Sequence, residues 1–166
     1  MEIKDILEQE LFKRGQEAIS SFLGYDYPED EEKDVTSERI QKKITEMSEE
    51  EFAEAVNKNI ECLVAYNILW DVDMESIMDA FDSMTVEEAS AELGIPTSHY
   101  SNMTTEERHD FIYDRYHHHS ADKAEFMELP NEVYLPKELV WEDDISDYLS
   151  DEYGYCHEGF NLRADS

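Results

Sequence analysis

Between Lys58 and Arg108 this chain contains no lysine or arginine, while eleven carboxylates fall in the same interval. Burying an ionised carboxylate without a partner costs on the order of several kcal/mol. With no local base to pair them, a fold must turn these acids outward. Its core must come from the apolar residues between them. The imbalance runs through the whole sequence, with 43 Asp and Glu against 13 Lys and Arg and a formal net charge of −30. Charge and a mean hydropathy of −0.70 alone lean towards disorder. The 40% hydrophobic content, with 7 Phe, 10 Tyr and 2 Trp, points instead to a folded domain with a strongly negative surface. Its 166 residues are enough for one domain of ordinary size or two very small ones. Self-repulsion should make the fold salt-sensitive, since screening acts over about 10 Å at 0.1 M salt.

The apolar rhythm organises the chain. Residues 2–23 read as one amphipathic helix through Ile3, Ile6, Leu7, Leu11, Ala18, Ile19, Phe22 and Leu23, ended by Gly24. Tyr25–Val35, with Pro28 and five acids in Asp26–Glu32, reads as a loop, hinge or linker. A second helix is expected over Ser37–Met47, carrying Arg39, Lys42 and Lys43. A third starts at a Ser48–Glu51 capping box and is expected to run to about Trp70, with Cys62 as a buried thiol in its apolar run. Further helices are expected at Met74–Asp82, after Thr104 or Thr105, and around Ala121–Glu128. Short extended runs follow at NEVYL and Leu139–Trp141. The last helix, about Asp144–Asp151, is stopped by Gly154 and followed by a strand over about Tyr155–Leu162. The expected fold class is mostly α, α+β, a helical domain with a small C-terminal β element. Its segments are an N-terminal helix (1–24), an acidic loop or linker (25–36), a helical core (37–129) and an acidic aromatic α/β element (130–166).

Two stretches concentrate negative charge. Asp71, Glu75, Asp79 and Asp82 recur at helical spacing, and Asp73, Glu87, Glu88 and Glu92 extend the run. Glu142, Asp143, Asp144, Asp147, Asp151 and Glu152 stand among Trp141, Tyr148, Tyr153, Tyr155 and Phe160, with no Lys or Arg between Trp141 and Phe160. On the last helix Ile145, Tyr148 and Leu149 face inward, and Asp144, Asp147 and Asp151 line a second stripe facing water. Like charges at one-turn spacing destabilise a helix by a few tenths of a kcal/mol per pair. Duplex DNA places one charge per ~1.7 Å of axis. Carboxylate rows on neighbouring helices approximate that density and would suit proteins whose basic grooves hold nucleic acid. A merely solvated acidic surface is the alternative.

Other chemistries have less support. Val86, Ala89, Ser90, Gly94, Ile95, Tyr100 and Met103 resemble the core of a bacterial repressor helix-turn-helix. Pro96–Asn102 lacks the bases that would contact phosphate, so a packing hairpin is expected there rather than a DNA reader. His117, His118 and His119 are consecutive and cannot all meet one ion on a helix. Cys156 and His157 are adjacent and face opposite ways on a strand. Asp71–Asp73 and Asp143–Asp144 are carboxylate pairs without EF-hand spacing. Neither cysteine belongs to a CxxC pair. No metal, cofactor or catalytic residue is expected. The opening MEIKDILEQELF is charged from its second residue and is not expected to be a signal peptide. No apolar run approaches the roughly 20 residues of a membrane span, so a cytoplasmic protein is expected.

The segment Ile145–Cys156, ISDYLSDEYGYC, resembles a C-terminal signature of small acidic proteins from phages and conjugative elements of Gram-positive bacteria. The resemblance implies a mobile-element origin. Such proteins lie among genes that include inhibitors of host defence, notably anti-CRISPR and anti-restriction proteins. The expectation that follows is a non-enzymatic, anti-CRISPR-type inhibitor of a host-defence nuclease. It would occupy a basic DNA- or RNA-binding channel, a Cas effector being the concrete case, and would bind neither nucleic acid nor membrane directly. The alternatives are a regulatory adaptor or degenerate repressor using Thr85–Met103, and a metal-dependent hydrolase.

Overall fold

The computed structural model describes residues 2–165. In chain order the elements begin α1 (Ile3–Arg14), α2 (Gln16–Leu23), α3 (Lys33–Glu46), α4 (Glu49–Asn59), β1 (Cys62–Tyr66), β2 (Trp70–Asp71) and α5 (Met74–Asp82). They continue α6 (Val86–Leu93), α7 (Thr97–Ser101), α8 (Thr105–Tyr116), α9 (Ser120–Phe126), β3 (Glu132–Tyr134), α10 (Glu142–Tyr153), β4 (Cys156–His157) and β5 (Asn161–Asp165). The fold is mostly α, α+β. The chain divides into two compact units, each discontinuous in sequence. The first comprises Met1–Asn67, Glu132–Leu149 and Phe160–Ser166, and the second Ile68–Asn131 and Ser150–Gly159. These boundaries cut across the expected 37–129 segment.

In the first unit β1 is the middle strand of an antiparallel sheet ordered β3-β1-β5. Val64 stands opposite Tyr134 on one side and Arg163 on the other. Leu63, Val64 and Ala65 are buried in succession, as a strand covered on both faces requires. This corrects the expected helix from Ser48 to Trp70. Helix α4 ends at Asn59, and Ile60 is already extended (φ −116°, ψ 119°). A short continuous apolar run has no period that separates a buried strand from a buried helix. Cys62 is therefore a half-buried strand residue. Strands β3 and β5 do not pair with each other; both pair with β1. Arg163 nevertheless reaches over β1 to the other edge. It donates to both Glu132 carboxylate oxygens (2.8 and 3.2 Å), with its guanidinium 5.3 Å from the Tyr66 ring centre. Those hydrogen bonds hold the Glu132 carboxyl below the usual carboxylate range.

The single helix expected over residues 2–23 is two helices, broken at Gly15 (φ 101°, ψ −173°). The apolar rhythm runs across the break, with Leu11, Ile19 and Leu23 all buried. Only the glycine marks it. That backbone region is open essentially to glycine alone, and nothing lies near a Cβ added there. Gly15→Ala should therefore destabilise through backbone strain alone, by about 1–3 kcal/mol, read as a lower urea midpoint with an unchanged m-value.

The acidic loop before α3 is tied down. Thr36 Oγ1 donates to Glu31 (2.9 Å) and Arg39 Nε donates to its other oxygen (2.7 Å). Both flanks of this loop belong to the first unit, and α3 begins at Lys33, inside the expected 25–36 segment.

In the second unit β2 and β4 form a two-residue ladder, Trp70 opposite His157 and Asp71 opposite Cys156. The expected last strand is thus two strands, separated around Gly159. The Gly159 carbonyl accepts from Leu69 N, and Glu158 N donates back to Leu69 O. Trp70 is buried, donates from Nε1 to Pro130 O (2.8 Å) and packs edge-on against Tyr153. A second aromatic cluster joins α5, α8 and α9. Phe81 stacks on Phe126 with centroids 4.7 Å apart and planes 9° apart, and Tyr116 meets both rings. Leu139–Trp141 forms no strand and leads directly into α10, which is longer than expected and stops before Gly154 (φ 78°).

Candidate acidic interface

The second unit carries eighteen Asp and Glu against three bases, Arg108, Arg115 and Lys123, a net of −15. Its acids are arranged by helices whose apolar faces are spent on the core. On α5, Ile77 and Phe81 are buried, which leaves Glu75, Asp79 and Asp82 exposed. On α6, Ala89, Ser90 and Leu93 are buried, which leaves Glu87, Glu88 and Glu92 exposed. Asp71 and Asp73 are exposed too, but neither lies on the helix. Asp71 sits in β2 and Asp73 is the residue that caps α5. The expected row of four acids on one helical face therefore reduces to Glu75, Asp79 and Asp82.

Three of these eight acids have a local partner. Asp73 accepts from Ser76 N (2.6 Å), and the Ser76 hydrogen bonds hold its carboxyl below the usual range. Glu88 closes a capping box with Thr85. Asp82 lies 3.0 Å from His109 Nε2. No ion pair engages Asp71, Glu75, Asp79, Glu87 or Glu92 among the described residues. Of these five, Glu75 and Glu87 stand in the first turns of α5 and α6, where the helix dipole favours negative charge, and Asp71, Asp79 and Glu92 have no such use.

The Asp73 cap gives a pH-dependent prediction. A carboxyl held below its unfolded value adds stability above that unfolded value, and loses it as pH falls through the folded one. Asp73→Ala should cost about 0.5–1 kcal/mol at pH 7, the lower part of the range for caps because the site is exposed. The difference from the parent in urea midpoint should vanish well below about pH 3.9.

Helix α10 presents the second acidic row. Ile145 and Leu149 are buried and Tyr148 is half-buried, as its spacing requires. Glu142, Asp143, Asp144, Asp147, Asp151 and Glu152 are all exposed, with no ion pair among the described residues. Glu142, Asp143 and Asp144 occupy the first turn, where the helix dipole favours negative charge by about 0.3–1 kcal/mol each. The dipole gives no such reason for Asp147, Asp151 and Glu152. Residues through Leu149 belong to the first unit and those from Ser150 to the second.

The helix–turn–helix is present as α6, a left-handed turn at Gly94 (φ 69°) and the five-residue α7. Its contacts are internal. Tyr100 is buried under the Arg108 guanidinium (4.4 Å to the ring centre), and Arg108 Nε donates to Tyr100 O. The hydroxyls of Ser90 and Thr97 meet at 3.1 Å. The one nearby base thus closes the hairpin. Among the histidines, His117 stacks on Tyr113 (4.5 Å) and abuts His118 (3.7 Å). No group of three His, Cys, Asp or Glu among the described residues is placed to hold a metal ion. No helix of the described residues is long and apolar enough to cross a membrane.

Sequence reasoning did not foresee a cleft in the first unit that brings Trp141 against Phe52. The sequence offers only a tryptophan set directly before three acids. No protein-family model, curated protein or solved structure matches this chain.

Proposed function

We propose that this protein is a non-enzymatic inhibitor that presents carboxylates to a basic nucleic-acid-binding channel of another protein, in place of phosphates. The observation that carries the reading is the set of exposed acids with neither a base nor a structural use: Asp71, Asp79 and Glu92 in one patch, and Asp147, Asp151 and Glu152 on α10. Glu75 and Asp79 repel each other across one helical turn, at a cost of a few tenths of a kcal/mol. A chain under no other demand would place Lys or Arg between them. The remaining acids of both patches, Asp73, Glu75, Asp82, Glu87, Glu88, Glu142, Asp143 and Asp144, add to the field while also serving caps, helix ends or His109.

The likeness of Ile145–Cys156 to proteins of phages and conjugative elements supports a partner among bacterial defence nucleases, with a Cas effector as the concrete case. Tyr100 is buried beneath Arg108, which counts against an adaptor role that uses its side chain. The test is capture from bacterial lysate on the immobilised protein at low salt, with the eluate identified by mass spectrometry. A nuclease or other nucleic-acid-binding protein is expected. Capture solely of proteins with no nucleic-acid-binding surface would contradict the reading.

A further inference from the structure

The first unit holds a cleft of about 470 Å³ whose lining residues come from the start of α1, the α3–α4 junction and the start of α10. Its floor is apolar. Phe52 and Trp141 meet there with ring centroids 5.2 Å apart, beside Ile44, Met47 and Val140. Trp141 is 38% exposed, among the few large apolar side chains left so open. The rim is charged and one-sided. Glu2, Glu49, Glu142 and Asp143 line it, and its single base, Lys4, already lies 3.2 Å from Glu2.

An apolar, aromatic floor inside a carboxylate rim matches one kind of side chain. That side chain has an apolar stem and a cationic head. Purely apolar occupants would leave the rim uncompensated, and acidic ones would be repelled. Arginine fits better than lysine, because its planar guanidinium stacks on an aromatic face while forking to a carboxylate. Exposed tryptophan is also the residue type that anchors protein contacts most strongly.

We infer that this cleft is a socket for an arginine side chain carried by a basic segment of the partner protein, stacked on Trp141 and held by Glu49, Glu142 and Asp143. The inference rests on the function proposed above and adds a defined anchoring point to a diffuse electrostatic attraction.

The test is titration with a short capped peptide of alternating arginine and leucine, followed by tryptophan fluorescence and calorimetry. Trp70 is only 3% exposed, so a change in emission reports Trp141. Matched peptides with lysine or neutral citrulline are the controls. Saturable quenching is expected, strongest for arginine and absent for citrulline. Glu49→Gln, Glu142→Gln and Asp143→Asn together, which keep the aromatic floor, should weaken binding about tenfold, the scale of a few charge contacts. Trp141→Ala should weaken it by a similar factor in calorimetry. Equal binding of the citrulline peptide, or unchanged arginine binding by the triple variant, would overturn the socket. That outcome leaves the patch on α5 and α6 standing, because reversing its charges is a separate test at residues outside the cleft.

Discussion

Phe81→Ala is expected to cost about 3–5 kcal/mol, enough to unfold a domain of ordinary stability. The side chain is 1% exposed, and its loss leaves Phe126 without its stacked partner at 4.7 Å and Tyr116 without its neighbour at 6.0 Å. Two rigid rings cannot close the void as a flexible aliphatic side chain could, so the cavity term should persist. Phe81→Leu keeps most of the volume and should cost less than half as much. Chemical denaturation followed by far-UV circular dichroism measures both. A cost below about 1 kcal/mol for Phe81→Ala would mean that this cluster does not hold α5, α8 and α9 together.

Reversing Glu75, Asp79, Glu87 and Glu92 to lysine is expected to weaken partner binding about 100-fold at low salt. Each change removes one attraction and adds one repulsion. At roughly 0.4 kcal/mol for each exposed contact, eight such terms sum to about 3 kcal/mol. All four side chains are exposed and none makes a hydrogen bond or ion pair among the described residues. The folded state should survive, with a small loss at the first turns of α5 and α6, where Glu75 and Glu87 favour the helix dipole. Each reversal adds two units of charge, so the net moves only from −30 to −22. A collapse of binding would therefore report the patch rather than bulk charge. Binding within about threefold of the parent would remove this patch from the interface.

Helix boundaries were most legible where a cap and an apolar stripe agreed. Helix α5 matches its expected Met74–Asp82 span, with Asp73 before it and Ile77 and Phe81 inside. The Ser48–Glu51 capping box is formed as read. Legibility failed where the apolar pattern carried no period. Leu63–Ala65 is buried on both faces, so nothing in its spacing distinguished the central strand from more helix. At Gly15 the pattern stayed in phase across a break. The outward placement of the acids was legible because burying an unpaired carboxylate is so costly. Their division of labour was less so. The Asp73 cap, the Glu88 capping box and the Asp82–His109 contact follow local spacing or a partner distant in sequence, and they take three of the expected interface acids into structural roles. The Trp141–Phe52 cleft joins residues far apart in the chain, which no local pattern could pair.

The central claim is that carboxylates here stand in for phosphates, and competition measures it most directly. The captured nuclease would be titrated with this protein at several fixed concentrations of duplex DNA and at a series of salt concentrations. The account predicts mutual exclusion, with the apparent dissociation constant rising in proportion to DNA. It also predicts an affinity that falls linearly with salt on logarithmic axes, as for nucleic acid itself. A ternary complex of nuclease, DNA and this protein, with affinity indifferent to salt, would contradict it.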